Sequence, residues 1–163
     1  MGGVDLQSLY AAQWRPLVRL AVLLVDDLCS AEDVVQDAFL GVHRHQSRLV
    51  SPEAAGFYLR RSVINGSRSA LRRRRTARLF FARDRATGSP ADIVDQAPPG
   101  EQTELLAALD QLPGKQREVL VLRYWSELSE AEIAAVLQVP AGTVKSRASR
   151  GLRTMERLLR SPS

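Results

Sequence analysis

The sequence is poor in the residues that would cross-link a protein, anchor it in a membrane or export it. It has a single cysteine, Cys29, which excludes an internal disulfide and a cysteine-based zinc site, so a small buried thiol is expected. The most hydrophobic stretch, Leu17–Val25, is shorter than the about 18 residues of a membrane span and contains Arg19, which predicts a buried helix. The N-terminus lacks a basic segment followed by an apolar core, so we expect a cytoplasmic protein without membrane insertion.

Residues that favour β-sheets are also scarce. Aromatic residues make up only 6% of the chain, and Leu, Ala, Arg and Glu outnumber the β-branched residues. With 45% hydrophobic and 25% charged residues, the composition is that of a globular protein. We therefore predict an all-α fold.

Arrangements typical of catalysis are missing. The sequence has no Walker-type glycine loop, no glycine-flanked nucleophilic serine and no cluster of metal ligands. His43 and His45 are two residues apart, so on a helix their side chains diverge and are expected to be exposed polar groups. We expect no enzyme, no catalytic residue, no metal and no cofactor.

A segment rich in helix breakers divides the chain. Between Ala86 and Thr103 lie three prolines, two glycines and several acids, a composition that opposes a long helix and is typical of a linker. The predicted domains are residues 1–80, a flexible linker over 81–103, and residues 104–163.

The charges of the chain are segregated. The net charge is +5; ten arginines and one acid lie between Arg60 and Arg85, while five acids and no base lie between Gly88 and Asp110. Positive charge returns from Thr143 onwards. Two basic blocks around an acidic spacer indicate two anion-binding surfaces on separate modules.

Three helices are predicted in the first domain. Apolar residues recur at helical spacing from Leu6 to Leu24, where Pro16 should kink or split the helix. Ser30 is expected to cap the second helix, whose apolar stripe consists of Val34, Val35, Ala38, Phe39 and Val42. A loop over Gln46–Pro52 precedes a third helix at about residues 53–75, with Phe57, Ile64 and Leu71 facing the core.

The second domain is predicted to end in a helix-turn-helix. Helices are expected at Leu105–Leu112 and Lys115–Trp125, then from the N-cap Ser129 to Leu137. A break at Gln138–Pro140 precedes the last helix, through about Leu159. Two helices joined by a tight turn, after a supporting helix, are typical of this DNA-binding motif.

The last helix has one apolar face and one face suited to DNA. The buried face is expected to consist of Val144, Ala148, Leu152, Met155 and Leu159. The other face carries Thr143, Ser146, Arg147 and Arg150, flanked by Lys145 and Ser149. Arginine can bind guanine through two hydrogen bonds, and serine can bond several base edges. A merely solvated amphipathic helix is the alternative.

The third helix carries a second basic face. It comprises Arg61, Asn65, Arg68 and Arg72, which are spaced to align, and it ends in the run Arg72–Arg75. Phe57 and Tyr58 stand just upstream; we favour core packing for both, with stacking on an unpaired base as the alternative. The arginine run could instead be a solubilising end, and a membrane-binding patch is disfavoured.

Three motifs together resemble those of RNA polymerase sigma factors. SAEDVVQDAFLGVHRH at Ser30–His45 resembles the region 2 helix of the sigma-70 family, and FYLRRSVINGSRSALRRRR at Phe57–Arg75 resembles the segment that meets the promoter −10 element. Leu112–Leu159, with GTVKSR at its centre, resembles region 4. The two-module layout is similar to the extracytoplasmic-function (ECF) group, and Y-L-R-R-x-V-x-N resembles its actinobacterial members.

The resemblance implies partners for the matching residues. Polymerase core would bind through the β′ clamp helices, at Asp33, Gln36, Asp37 and Leu40, and through the β flap. The −10 element would be melted and held by the Gln46–Ala55 loop together with Tyr58, Arg61, Asn65, Arg68 and Arg72. The −35 bases would be read by Ser146, Ser149 and Arg150, with Thr143, Lys145 and Arg147 on phosphates.

The resemblance also implies that an anti-sigma factor holds the protein inactive, and that the acidic linker lies in the RNA-exit path. Two alternatives stay open from the residues alone. A freestanding helix-turn-helix regulator would leave the Asp33–Asp37 face unused, and a nuclease would need clustered carboxylates. Gly66, which follows Asn65 where family members often have Leu or Ala, could permit close DNA approach or could merely be tolerated.

Overall fold

The computed structural model describes residues 3–80 and 99–161. All regular elements of those ranges are α-helices, which confirms the all-α prediction. They are α1 (Leu6–Val25), α2 (Leu28–Arg44), α3 (Pro52–Phe80), α4 (Pro99–Asp110), α5 (Gly114–Tyr124), α6 (Glu130–Leu137) and α7 (Ala141–Arg160). The chain divides into two compact units, residues 1–88 and 89–163. None of the described helices is both long and apolar enough to cross a membrane.

Unit 1 is a bundle in which α1, α2 and α3 all pack on one another. Helix α1 runs through Pro16 without interruption, so of the two effects expected of this proline, splitting the helix is wrong. Proline removes one backbone donor, but the nearly continuous buried run from Leu17 to Val25 holds the second half of the helix against its neighbours. Asp5 is the N-cap of the helix, and its carboxylate accepts the N–H of Gln7 at 3.2 Å.

The start of α2 differs from the prediction. Asp27, rather than Ser30, is the N-cap: its carboxylate accepts the Ser30 N–H at 2.7 Å, and the helix begins at Leu28. Asp26 turns the corner from α1 in the left-handed conformation, with φ of 70°. With Asp27 as the cap, Ser30 becomes the third residue of the helix, and its N–H is one of the free donors that the cap satisfies.

Helix α3 is longer than predicted, 29 residues ending at Phe80. Ser51 caps its start by accepting the Ala54 N–H at 3.1 Å. Ile64 is buried as expected, but Phe57 and Leu71 are only half-buried. The core face instead consists of Ala55, Leu59, Val63, Ile64 and Ser67.

Gly66 owes its place to helix packing. A Cβ at this position would lie 3.0 Å from Cγ1 of Val34, closer than ordinary contacts allow. Val34 is a buried residue of α2, so the missing side chain permits α2 and α3 to approach closely. The close approach that Gly66 permits in this structure is that of α2, whereas close approach of DNA stays a prediction.

Unit 2 contains α4 to α7. Helix α4 begins at Pro99, six residues before the predicted Leu105, because proline is well tolerated in a first helical turn. Residues 99–103 of the predicted linker are thus helical, and residues 81–98, with the role suggested for the acidic linker, lie outside the described residues. Helix α6 begins with the expected cap at Ser129, which forms a reciprocal capping box with Glu132. This cap agrees with the prediction.

The apolar face of α7 is narrower than predicted. Val144, Ala148 and Met155 are buried, together with Gly151. Leu152 and Leu159, in contrast, are 42% and 45% exposed. The buried faces of α5, α6 and α7 meet at Val119, Leu122, Ile133 and Val144, each at most 1% exposed, and this core holds the helix-turn-helix together.

Candidate functional surfaces

The outer face of α2 is acidic with an apolar centre. Asp33, Gln36, Asp37 and Leu40 are all exposed, Leu40 by 49%, and Glu32 extends the face. The predicted apolar stripe from Val34 to Val42 is buried on the opposite side. An exposed leucine among carboxylates suits a protein partner that carries both basic and apolar side chains.

Cys29 lies exposed near the start of the same helix, so the expectation of a buried thiol was wrong. The residue occupies the first turn of α2, whose inward positions are taken by Ala31 and Val34. His43 and His45 are exposed, as expected.

An aromatic cluster beside the α2 face escaped the sequence analysis. Tyr10 stacks on Trp14, with ring centroids 4.9 Å apart, and lies 5.0 Å from the ring of Phe39. Phe39 is buried, whereas Tyr10 is 46% exposed. Because Phe39 directly precedes Leu40, the ring of Tyr10 lies beside the α2 face. The four-residue spacing of Tyr10 and Trp14 was the available signal, since such pairs meet on a helix.

The basic face of α3 forms as predicted, but with uneven exposure. Asn65 and Arg72 are exposed, and Arg61 and Arg68 are half-buried. Their helical spacing places all four on the side opposite Leu59 and Val63 in the core. Guanidinium groups at this spacing can follow a phosphate backbone, while the Asn65 amide between them can bond a base edge.

Tyr58 is half-buried against the end of α2. Its ring centroid lies 5.7 Å from that of His45, and its hydroxyl lies 3.4 Å from His45 Nδ1. Nδ1 is also 2.9 Å from the carbonyl oxygen of Gly41. A Cβ on Gly41 would come within 2.6 Å of the Tyr58 hydroxyl, so the glycine makes room for the tyrosine. Tyr58 therefore packs on the end of α2 without entering the core, and part of the residue stays accessible.

The segment between α2 and α3 is short and anchored. Gln46 donates its side-chain N–H to the Val4 carbonyl at 3.3 Å, and Val4 itself is buried. Helix α3 has already begun at Pro52, so the predicted Gln46–Ala55 loop is a loop only as far as Ser51.

The arginine run Arg72–Arg75 does not behave as one surface. Arg72, Arg73 and Arg75 are exposed, but Arg74 is half-buried. The Arg74 guanidinium pairs with the Asp27 carboxylate and donates to the Val25 carbonyl at 2.8 Å. One of the four arginines is thus used within the fold.

The polar face of α7 is accessible at its N-terminal end. Lys145, Ser149 and Arg150 are exposed, and Thr143, Ser146 and Arg147 are half-buried. The N-cap, Pro140, makes no side-chain cap bond, so the positive end of the helix dipole is left without a neutralising carboxylate. Basic side chains beside the start of such a helix favour phosphate binding.

A groove lies between α4 and the C-terminal turns of α7. Its walls include Ala107 and Ala108 of α4, Gln111 just after that helix, and Leu158 and Leu159 of α7. Leu159 therefore has a place in a groove rather than in the core. Glu104 and Arg160 lie at the same groove, which gives it apolar walls beside charged groups.

Comparison with protein families matches both units of the chain. The sigma-70 region 2 family matches residues 9–77, which cover nearly all of α1 to α3. The sigma-70 region 4 family matches residues 102–155, which span most of α4 to α7.

Two relatives extend these matches across the chain. An RNA polymerase sigma-E factor of Streptomyces avermitilis is 34% identical over 145 residues, spanning 89% of this chain and 79% of that protein. The ECF RNA polymerase sigma factor SigM of Mycobacterium tuberculosis is 33% identical over 156 residues, spanning 93% and 76%.

Two solved structures share the fold. CnrH, solved in complex with the cytosolic domain of CnrY, gives a TM-score of 0.71 at 26% identity and covers 97% of this chain and 89% of its own. The sigma factor RpoE of Bartonella quintana, solved with the anti-sigma factor NepR, gives 0.71 at 24% identity and covers 96% and 99%.

Proposed function

The chain belongs to the ECF group of the sigma-70 family, and from this premise we propose how its surfaces direct RNA polymerase to promoters. It is an alternative sigma factor, and members of the family regulate transcription rather than catalyse a reaction. It works in the cytoplasm, where polymerase and DNA meet. The single observation that carries the proposal is that one chain has both an exposed acidic face on α2 and basic, solvent-accessible faces on α3 and α7.

The α2 face binds polymerase core. Asp33, Asp37 and Gln36 contact basic and polar groups of the β′ clamp helices, and Leu40 fills an apolar site among them. The exposure of all four side chains supports this assignment. An apolar centre surrounded by polar groups is the arrangement of an interface hot spot.

The α3 face binds the −10 element. Arg61, Arg68 and Arg72 follow the phosphates, and Asn65 bonds a base. Together with the 46–51 loop and Tyr58 they hold a base that has left the duplex, offsetting an unstacking free energy of a few kcal/mol. Support comes from the common orientation of the four α3 residues.

The N-terminal half of α7 enters the major groove at the −35 element. Ser146, Ser149 and Arg150 read base edges, and Thr143, Lys145 and Arg147 bind phosphates. The exposed start of α7, which has no side-chain cap, supports this orientation.

The groove between α4 and α7 accommodates an apolar segment of the polymerase β flap. Leu158 and Leu159 supply the apolar wall. An anti-sigma factor competes for these polymerase-binding surfaces; the complex of CnrH with the cytosolic domain of CnrY supports a partner of that kind.

Run-off transcription with core polymerase over genomic fragments tests the proposal. We expect transcripts from a small set of fragments only when both core and this protein are present. Failure to bind core in a pull-down, together with tight specific binding of duplex DNA by the protein alone, would instead indicate the freestanding regulator.

A further inference from the structure

Arg74 and Asp27 form a polar centre where all three helices of unit 1 meet. Asp27 is almost completely buried, its side chain 3% exposed, and Arg74 is 27% exposed. Besides its ion pair with Asp27, the Arg74 guanidinium donates to the carbonyl of Val25, the last residue of α1, and to Ser30 Oγ in α2 at 3.2 Å. One side chain of α3 thus holds the end of α1 and the start of α2.

Arg74 occupies a core position of α3. It follows Ser67 by seven residues, which continues the buried stripe that runs through Leu59 and Val63. The basic face with Asn65 and Arg72 lies on the other side of the helix. An arginine in this position points away from DNA bound on that face.

The second half of α3 is less deeply buried than the first half. Between Arg68 and Leu79 no residue of the helix is buried. Full burial along α3 therefore ends at Ser67, whereas the basic face continues to Arg72. The Arg74 contacts lie beyond that last basic residue and fix the helix from the far side.

We infer that Arg74 is a positioning residue for promoter opening: bound to Asp27, Ser30 and the Val25 carbonyl, it holds the C-terminal half of α3 so that Arg68 and Arg72 present one surface to the melted DNA. This inference rests on the proposed function of α3. Arginine suits the task because its planar fork reaches three acceptors, which a lysine ammonium cannot bind in the same geometry.

The test separates positioning from direct DNA contact. Full-length Asp27→Asn, Arg74→Met and the double variant are compared with wild type on the promoter fragment that gives the strongest run-off transcript. Asparagine keeps the N-cap of α2, so Asp27→Asn removes chiefly the ion pair. Transcription, core affinity and melting temperature are measured for each variant, with transcription assayed below the lowest melting temperature.

We expect each single variant to lose about tenfold in transcription while core affinity changes less than about twofold, and the double variant to be no worse than the poorer single, as for coupled neighbours. Arg73→Met, which removes an equal charge from the exposed neighbour, should lose less than about threefold. If Arg74→Met does not fold, Arg74→Lys replaces it, because it keeps the charge and loses the fork.

Three outcomes would overturn the inference. Wild-type transcription by Asp27→Asn beside a defective Arg74→Met would make Arg74 a DNA ligand. Parallel losses of core affinity and transcription would mean that the pair only stabilises the fold, and an equal loss with Arg73→Met would assign the effect to charge. If wild type itself stimulates no transcription, the proposed function fails, independently of these variants.

Discussion

The two basic helices of this protein, α3 and α7, distribute their arginines differently. In α3 one side of the helix carries Arg61, Arg68 and Arg72, and the core side carries Arg74, bound to Asp27. In α7 the core side carries no charged residue and consists of Val144, Ala148, Gly151 and Met155. Helix α3 thus combines the proposed DNA-binding surface with a structural ion pair.

Unit 2 has a structural arginine too, but in another helix. Arg117 of α5 donates to the Asp110 carbonyl at 2.5 Å and joins the end of α4 to the start of α5. The arginine that joins two helices of unit 2 therefore lies outside the proposed DNA-binding face of α7. The comparison teaches that an arginine-rich helix should be divided by face before its charge is assigned to DNA.

The largest effect is expected from removing the acid beneath α3. Asp27→Ala should lower the free energy of unfolding of unit 1 by about 3–5 kcal/mol, since Arg74 loses its buried partner. Asp5→Ala removes an exposed helix cap without an arginine and should cost much less. Chemical denaturation followed by circular dichroism measures both, and equal losses would refute a structural Arg74.

Packing of the two helices is compared by adding the same side chain to each. Gly66→Val should destabilise unit 1 by about 1–3 kcal/mol, because the new side chain meets Val34. Gly142→Val in α7 meets nothing within 4 Å and should change stability by less than about 0.5 kcal/mol. Thermal melts of the two variants decide; a neutral Gly66→Val would mean that α2 and α3 can separate without loss.

Within α7 the exposed basic residues Arg150 and Lys145 should differ in which part of the DNA they recognise. Arg150→Ala should weaken binding by about 1–3 kcal/mol at one −35 position and relax its base preference. Lys145→Ala should instead weaken binding to all sequences alike and reduce the salt dependence. Binding of polymerase holoenzyme to promoters with single −35 substitutions measures both. Identical profiles for the two variants would contradict the assigned roles.

A smaller effect concerns the turn that orients α7. Gln138 lies in the left-handed conformation, with φ of 57°, where a side chain is unfavourable. Gln138→Gly should therefore raise the stability of unit 2 by up to about 1 kcal/mol. Ala107→Gly, at an exposed position inside α4, should instead destabilise the unit, and calorimetry distinguishes the two signs.

The smallest expected effect is a difference in pH dependence between the N-terminal ends of α1 and α7. The hydrogen bond from Ser8, and then those from backbone N–H groups, lower the pKa of Asp5 from 3.8. A depressed pKa in the folded state gives α1 stability that is present above the unfolded pKa and lost as pH falls through the folded value. Helix α7 starts at Pro140, which does not titrate. Ser8→Ala removes the main cause of the lowered pKa, so the start of α1 should lose less stability as the pH falls below about 4. NMR of the first turn of α1 measures this loss.

Local sequence patterns determined most of the helices. Hydrophobic spacing located α2, α5, α6 and α7 to within a few residues, and the Ser129 cap was read correctly. The polar faces of α2 and α7 followed from the same periodicity, since exposed positions recur along a single helix whatever it packs against. The family resemblance added the partners, which no spacing could supply.

Tertiary structure decided the features that depend on residues far apart in sequence. Asp27 and Arg74 are 47 residues apart, and only the packing of α3 across the α1–α2 corner brings them together. The same packing requires Gly66, and the position of α4 leaves Leu159 in a groove instead of a core. Periodicity shows which side of a helix is apolar, but the neighbour that covers it, and how far, is set by the three-dimensional arrangement.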